Sequence, residues 1–283
     1  MQLKSSILTT ITGISLGLLF AVPALAQQNT DISAGIKAPT TVKVDGKLTE
    51  WGTLPAYNKN TALRYTLAND AKNLYLAITC TDQANINKLL AGGLTFTVNT
   101  EGKKKEKDAA VIVYPMPGRG GMRGFRMGGN RGGQGATAPD TAAIVAAHKQ
   151  SVTAAKELSI TGVKEITDTL VSIYNTYGIK TGITFDTKGN MFYELAIPLN
   201  LLQLNPDKAT ELAYNLKLNG IQFGGNNRED GARAGGGRPG GGAGGGFGGG
   251  NGGGTINIGG GGGAMMEMMT PTDFWGKYKL AKP

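Results

Sequence analysis

Few side chains in this sequence are equipped for chemistry: one histidine, one cysteine, two tryptophans and nine methionines in 283 residues. No Ser-His-Asp set stands in a recognisable context, and no His/Cys group has metal-ligand spacing. No glycine-rich loop carries the Lys and Ser/Thr that a phosphate cradle needs. Asp45, Glu50 and Glu194 are carboxylates, but glycoside hydrolysis needs two of them placed across a bond, and nothing here places them. In a strand, Glu194 shares a face with Phe192 and Ala196, opposite Tyr193, Leu195 and Ile197, so it reads as a partly solvated structural acid. The expectation is a protein that is not an enzyme and carries no cofactor.

Aromatic rings and thioethers remain. Trp275, Tyr174 and Tyr177 are the candidate ligand-binding residues, because each falls at a strand end, at a turn or beside an insertion, where a ring can be exposed. Met116, Met122 and Met127 form one methionine group, and Met265, Met266, Met268 and Met269 another. Thioethers suit Cu(I), yet methionine also fills gaps, so the metal question stays open. His148 alone makes no metal site and reads as a surface or boundary residue. Cys80 ends the apolar run Leu74–Cys80 and reads as a small buried hydrophobe.

The positioning elements come next. Residues 1–26 have the form of a secretory signal: Lys4, an apolar stretch from Ile7 to Val22, and the small-x-small pattern Ala24-Leu25-Ala26. The expected location is periplasmic or secreted, with no transmembrane segment after cleavage. A single Cys leaves no internal disulfide. The net charge of +9 falls only to +8 without the signal, since Lys4 is its one charged residue. That balance suits an anionic glycan or cell surface, although much of it sits in loops.

Glycine divides the rest. Of the 46 glycines, 9 fall in 118–135 and 23 in 224–263. Such stretches have little to bury and much backbone entropy to lose, so they are expected to be disordered insertions. Arg119-Gly120-Gly121 and Arg131-Gly132-Gly133 look like nucleic-acid-binding segments. The export signal argues against that partner, so no nucleic acid is expected. The plan is then signal 1–26, linker 27–39, and one domain over 40–283, interrupted at 116–139 and 224–271.

Within the domain, short alternating runs separated by turn signals predict strands. They are Thr41–Val44, Leu63–Leu67, Leu74–Cys80, Leu94–Val98, Ala110–Tyr114, Leu170–Tyr174, Gly178–Phe185, Met191–Ile197, Leu212–Phe223 and Asp273–Leu280. Gln83–Leu90 reads as a short helix. Pro139-Asp140-Thr141 starts the one appreciable helix, Ala142–Leu158, with an apolar stripe at Ile144, Val145, Val152, Ala155 and Leu158. The fold class is mainly β: an antiparallel β-sandwich, immunoglobulin-like or jelly-roll-like, with one helix and two disordered Gly-rich insertions.

Two strings bracket these strands: Val44-Asp45-Gly46-Lys47-Leu48-Thr49-Glu50-Trp51 and Tyr193-Glu194-Leu195-Ala196-Ile197-Pro198-Leu199. They resemble the D-G-x-L-x-x-x-W opening and the late Y-E-x-x-I-P-L strand of family-9 carbohydrate-binding modules and their DOMON-like relatives. The resemblance covers roughly residues 40–222 plus the last strand at 272–281. It implies a sandwich with Trp51 packed under the opening turn, and glycans or cell-surface polysaccharide as partners. That family clamps a terminal sugar ring between two tryptophans, and neither Trp51 nor Trp275 matches those positions. The expected function is an exported, non-catalytic, carbohydrate-binding module. The alternatives are a structural or surface-interaction scaffold displaying its Gly-rich loops, and a metal or haem carrier on a DOMON-like fold. Exposed aromatics on one face would favour the first reading; both glycine insertions on one edge would favour the scaffold.

Overall fold

The computed structural model describes residues 32–33, 35–116, 140–208, 210–221 and 262–282. The expected signal 1–26 and most of both glycine-rich stretches lie outside the described residues.

Among the described residues, eleven strands form two antiparallel sheets. In chain order, β1 (Ala56–Asn58), β2 (Leu63–Asn69) and β3 (Asn73–Cys80) lead through α1 (Gln83–Gly92) to β4 (Leu94–Asn99) and β5 (Ala110–Tyr114). Then come α2 (Thr141–Ala154), β6 (Glu157–Thr161), β7 (Leu170–Ser172), β8 (Lys180–Phe185) and β9 (Met191–Pro198). The chain closes with β10 (Glu211–Leu218), α3 (Gly262–Met269) and β11 (Thr272–Lys279). One sheet has the order β1-β2-β3-β9-β8, the other β11-β10-β4-β5-β6-β7.

The inner faces make the core of a sandwich. Leu63, Tyr65 and Leu67 of β2 and Tyr193 and Leu195 of β9 come from one sheet. Phe96 of β4 and Leu212, Tyr214 and Leu216 of β10 come from the other. The hydroxyls of Tyr65 and Tyr214 meet across the core at 2.9 Å. Buried tyrosines keep such a partner because an unmet hydroxyl in an apolar core is costly. Opposite Tyr214, β11 carries Gly276, and a Cβ there would run into the Tyr214 ring.

The alternation weakens in the five-stranded sheet. Thr66, Ala68, Ala77, Glu194 and Ala196 point away from the core yet are buried as well. The segment 40–54 covers this outer face, held by Thr184 Oγ1 donating to the Gly46 carbonyl at 2.6 Å. Thr41–Val44 was predicted as a strand but forms none. It belongs to this covering loop, where the Lys43 N–H is taken by the Glu50 carboxylate at 2.8 Å rather than by a neighbouring strand.

Other boundaries shift. The helix predicted to Leu158 stops at Ala154, because Leu158 pairs with Val171 in the β6–β7 ladder and is fully buried there. Asp140 caps α2 by accepting the Ala142 N–H at 2.9 Å. Helix α2 is not alone: α1 has 10 residues, and α3 has 8, inside the stretch expected as a glycine-rich loop. Methionine is a good helix former, and the Met265–Met269 run outweighs the flanking glycines. The expected linker 27–39 is part of the fold where it is described. Ile32 is buried, Ile36 packs on the core, and the Ala38 N–H donates to the Asn69 carbonyl at 2.9 Å.

Helix α1 runs from the end of β3 to the start of β4, and so closes one end of the sandwich. It contacts both α2 and α3 there. At the same end Tyr114 and Leu218 flank Leu94 on neighbouring strands. The last described residues before the two glycine-rich stretches, Met116 and Ile221, therefore follow strands separated only by β4. Among the described residues, no helix is long and apolar enough to cross a membrane.

Candidate functional site

The two bracketing strings meet in space. Glu194, on the outer face of β9, is buried with 1% exposure rather than partly solvated. Its Oε1 accepts the Trp51 indole N–H at 2.8 Å. Its Oε2 accepts the backbone N–H groups of Asp45 at 3.0 Å and Gly46 at 2.7 Å. Burial raises the Glu194 carboxyl above its ordinary range, and the bonds from Trp51, Gly46 and Asp45 pull against that rise. Gly46 has φ +79°, and a Cβ on it would lie 2.9 Å from the Ile183 backbone, so the turn needs glycine. Trp51 is half-buried, with its ring edge-on to Tyr75 at 5.9 Å. This is a structural lock that seats the loop on the sheet.

Beside the lock the loop stands off the sheet, leaving a pocket of about 460 Å³. Its floor is one row across four strands. Arg64 of β2 pairs with Thr79 of β3, Thr79 with Phe192 of β9, and Phe192 with Thr184 of β8. The loop supplies one wall through 47–49 and 52–54, and Phe185 and Asp186 supply the other. Arg64 is fixed by donating to the Leu54 carbonyl at 3.3 Å and by lying 5.7 Å from the centre of the Tyr57 ring. Burial would raise the Asp186 carboxyl, but the bonds from Asn190 and Lys188 outweigh it and hold the group low and ionised.

The sequence-based candidates are not gathered here. Trp275 is half-buried on the outer face of β11, opposite Asn215. Tyr174, just beyond β7, is 76% exposed, with the Lys156 ammonium 5.9 Å from its ring centre. Tyr177 is partly buried and packs on the core. Strands β11 and β7 are opposite edges of the six-stranded sheet, roughly 24 Å apart at ordinary strand spacing, so Trp275 and Tyr174 cannot clamp one ring. The residue missed by sequence reasoning is Phe192. Its signal was its place in the Met191–Pro198 strand, two residues from Glu194 on the same face.

The remaining reactive groups lie outside the pocket lining. His148 is buried, not a boundary residue, at 3% exposure. Its Nε2 meets Asn87 Oδ1 at 2.8 Å and its ring lies 5.1 Å from that of Phe185. Burial lowers its pKa from 6.5. Its Nδ1 is buried and has no hydrogen-bond partner among the described residues. Cys80 is buried as expected, and burial pushes its thiol up to about 11. Met266 and Met269 are exposed on α3. Among the described residues no three His, Cys, Asp or Glu side chains group around a metal position.

Searches against protein-family models and against curated proteins give no match for this chain.

Proposed function

We propose that this chain is an exported, non-catalytic binding module and that it binds carbohydrate in the pocket between the opening loop and the five-stranded sheet. One observation carries the reading: Phe192 lies in a floor row with Thr79, Thr184 and Arg64, under a loop that brings Lys47, Thr49 and Thr53 as well as Leu48 and Leu54 to the pocket. A sugar ring has an apolar face that stacks on an aromatic and a rim of hydroxyls that needs hydrogen-bond partners. Small-ligand pockets run roughly 300–1,000 Å³, and this one is about 460 Å³. The lock at Glu194 supports the reading, because a loop fastened before binding loses little further entropy when a ligand arrives. The export and non-catalytic parts rest on the N-terminal signal pattern and on the scarcity of catalytic side chains.

The test is a glycan array on the chain without residues 1–26, followed by calorimetry on the hits with wild type and Phe192→Ala. Wild type binds at least one glycan class, and Phe192→Ala weakens it by about tenfold or more. No binding by wild type rejects the reading.

A second reading, a scaffold that displays the two glycine-rich insertions, is favoured by their roots. Met116 and Ile221 follow strands β5 and β10, separated only by β4, at the sandwich end that α1 closes. If no glycan binds, pull-down from cell envelopes with and without residues 231–258 tests this alternative.

A further inference from the structure

We infer that the pocket selects an anionic sugar, one carrying a carboxylate or sulfate, with Arg64 as its charge partner; this rests on the carbohydrate reading of the same pocket. The charges around the pocket are unequal in what they have left to offer. Asp186 keeps its negative charge, but beyond the Thr184 end of the floor row, opposite the Arg64 end, and its oxygens are engaged by its own turn: Oδ1 accepts the N–H groups of Lys188 at 2.9 Å and Asn190 at 2.8 Å, and Oδ2 accepts Asn190 Nδ2 at 2.8 Å. Lys47 lies 4.0 Å from Asp45 on the exposed rim. Arg64 is different. Its guanidinium has five N–H donors, of which one reaches the Leu54 carbonyl, and it pairs with no carboxylate among the described residues. It is nonetheless held in place, by that carbonyl and by the Tyr57 ring. An arginine oriented in advance and lacking a counter-ion offers a planar fork that matches a carboxylate or sulfate. Phe192 stands in the same floor row, separated from Arg64 by Thr79 alone. A pyranose stacked on Phe192 would therefore bring a ring substituent toward the guanidinium.

The experiment is calorimetry on the chain without residues 1–26, with three probes: an oligogalacturonate, a sulfated chondroitin fragment and a neutral cello-oligosaccharide. The inference expects at least one acidic probe to bind ten times or more tighter than the neutral one, with affinity falling as salt rises. In Arg64→Gln the ratio of acidic to neutral affinity falls toward one, while Arg64→Lys retains part of it. Arginine Nε–Hε resonances of wild type, followed during the acidic titration, give a readout that does not depend on a variant folding: Arg64 must shift. Equal or tighter binding of the neutral probe overturns the inference and leaves the carbohydrate reading standing, as does an acidic preference that survives Arg64→Gln or leaves the Arg64 resonance still. Failure of all three probes, together with an empty glycan array, overturns both.

Discussion

Trp51 donates its indole N–H to the buried Glu194 carboxylate at 2.8 Å, across 143 residues of chain. The same carboxylate takes two backbone N–H groups from the Asp45-Gly46 turn, so one acid fastens the opening loop onto the five-stranded sheet. The loop then forms one wall of the pocket.

Trp51→Phe keeps most of the ring and removes one donor from a buried acid. The expected loss is about 1–3 kcal/mol. Trp51→Ala also removes the ring packed edge-on to Tyr75, and loses about 3–5 kcal/mol, less if its half-exposure lets the loop settle. Denaturant melts of both variants check the order: an Ala variant no worse than Phe would mean that the ring contributes nothing.

On the proposed carbohydrate reading, Phe192→Ala is expected to weaken glycan binding by about tenfold or more, and Trp275→Ala and Tyr174→Ala to leave it within about twofold. Only Phe192 lies in the pocket; the other two sit on opposite edges of the six-stranded sheet. Calorimetry on the three variants decides, and a loss confined to Trp275→Ala moves the site to the other sheet.

Stability depends on His148 in mildly acid solution. Burial depresses its folded pKa below 6.5, so the unfolded chain binds the proton first as pH falls. The stabilising contribution is therefore complete above 6.5 and is lost as pH drops through the folded value. Melting temperature should fall over that window, and His148→Leu should flatten the slope there. A variant with the wild-type slope would place the titration elsewhere.

Gly276→Ala destabilises by about 1–3 kcal/mol, as overpacking of a filled core does, because the new Cβ meets the Tyr214 ring. Shortening the second glycine-rich stretch by deleting 231–258 leaves the melting temperature within a few degrees, since the cut stops short of α3 at Gly262 and loop-closure entropy changes slowly with length. Thermal melts of each separate the two effects; a collapse on deletion would show that these glycines pack.

Sequence alone determined the sheet content and most strand positions. Leu74–Cys80 and the first part of the expected strand Leu212–Phe223, which ends at Leu218, carry their hydrophobic residues at strand spacing, and Asp186–Asn190 carries turn chemistry, so purely local rules suffice there. It also marked the two strings that meet at Glu194. Tertiary structure decided the rest, because it depends on what covers a face. A strand pattern shows which side chains share a side, not whether a loop lies over them, so Glu194 reads as partly solvated in its strand although the loop of Asp45, Gly46 and Trp51 buries it. Leu158 fits a helical stripe as well as a strand, and only pairing with Val171 resolved it. The pocket floor draws one residue from each of four strands: two hairpins give the pairs Arg64–Thr79 and Thr184–Phe192, and the ladder between β3 and β9, distant in sequence, joins them into a row through Thr79 and Phe192. No local signal encodes that row, since sheet register is settled by the joint packing of both faces.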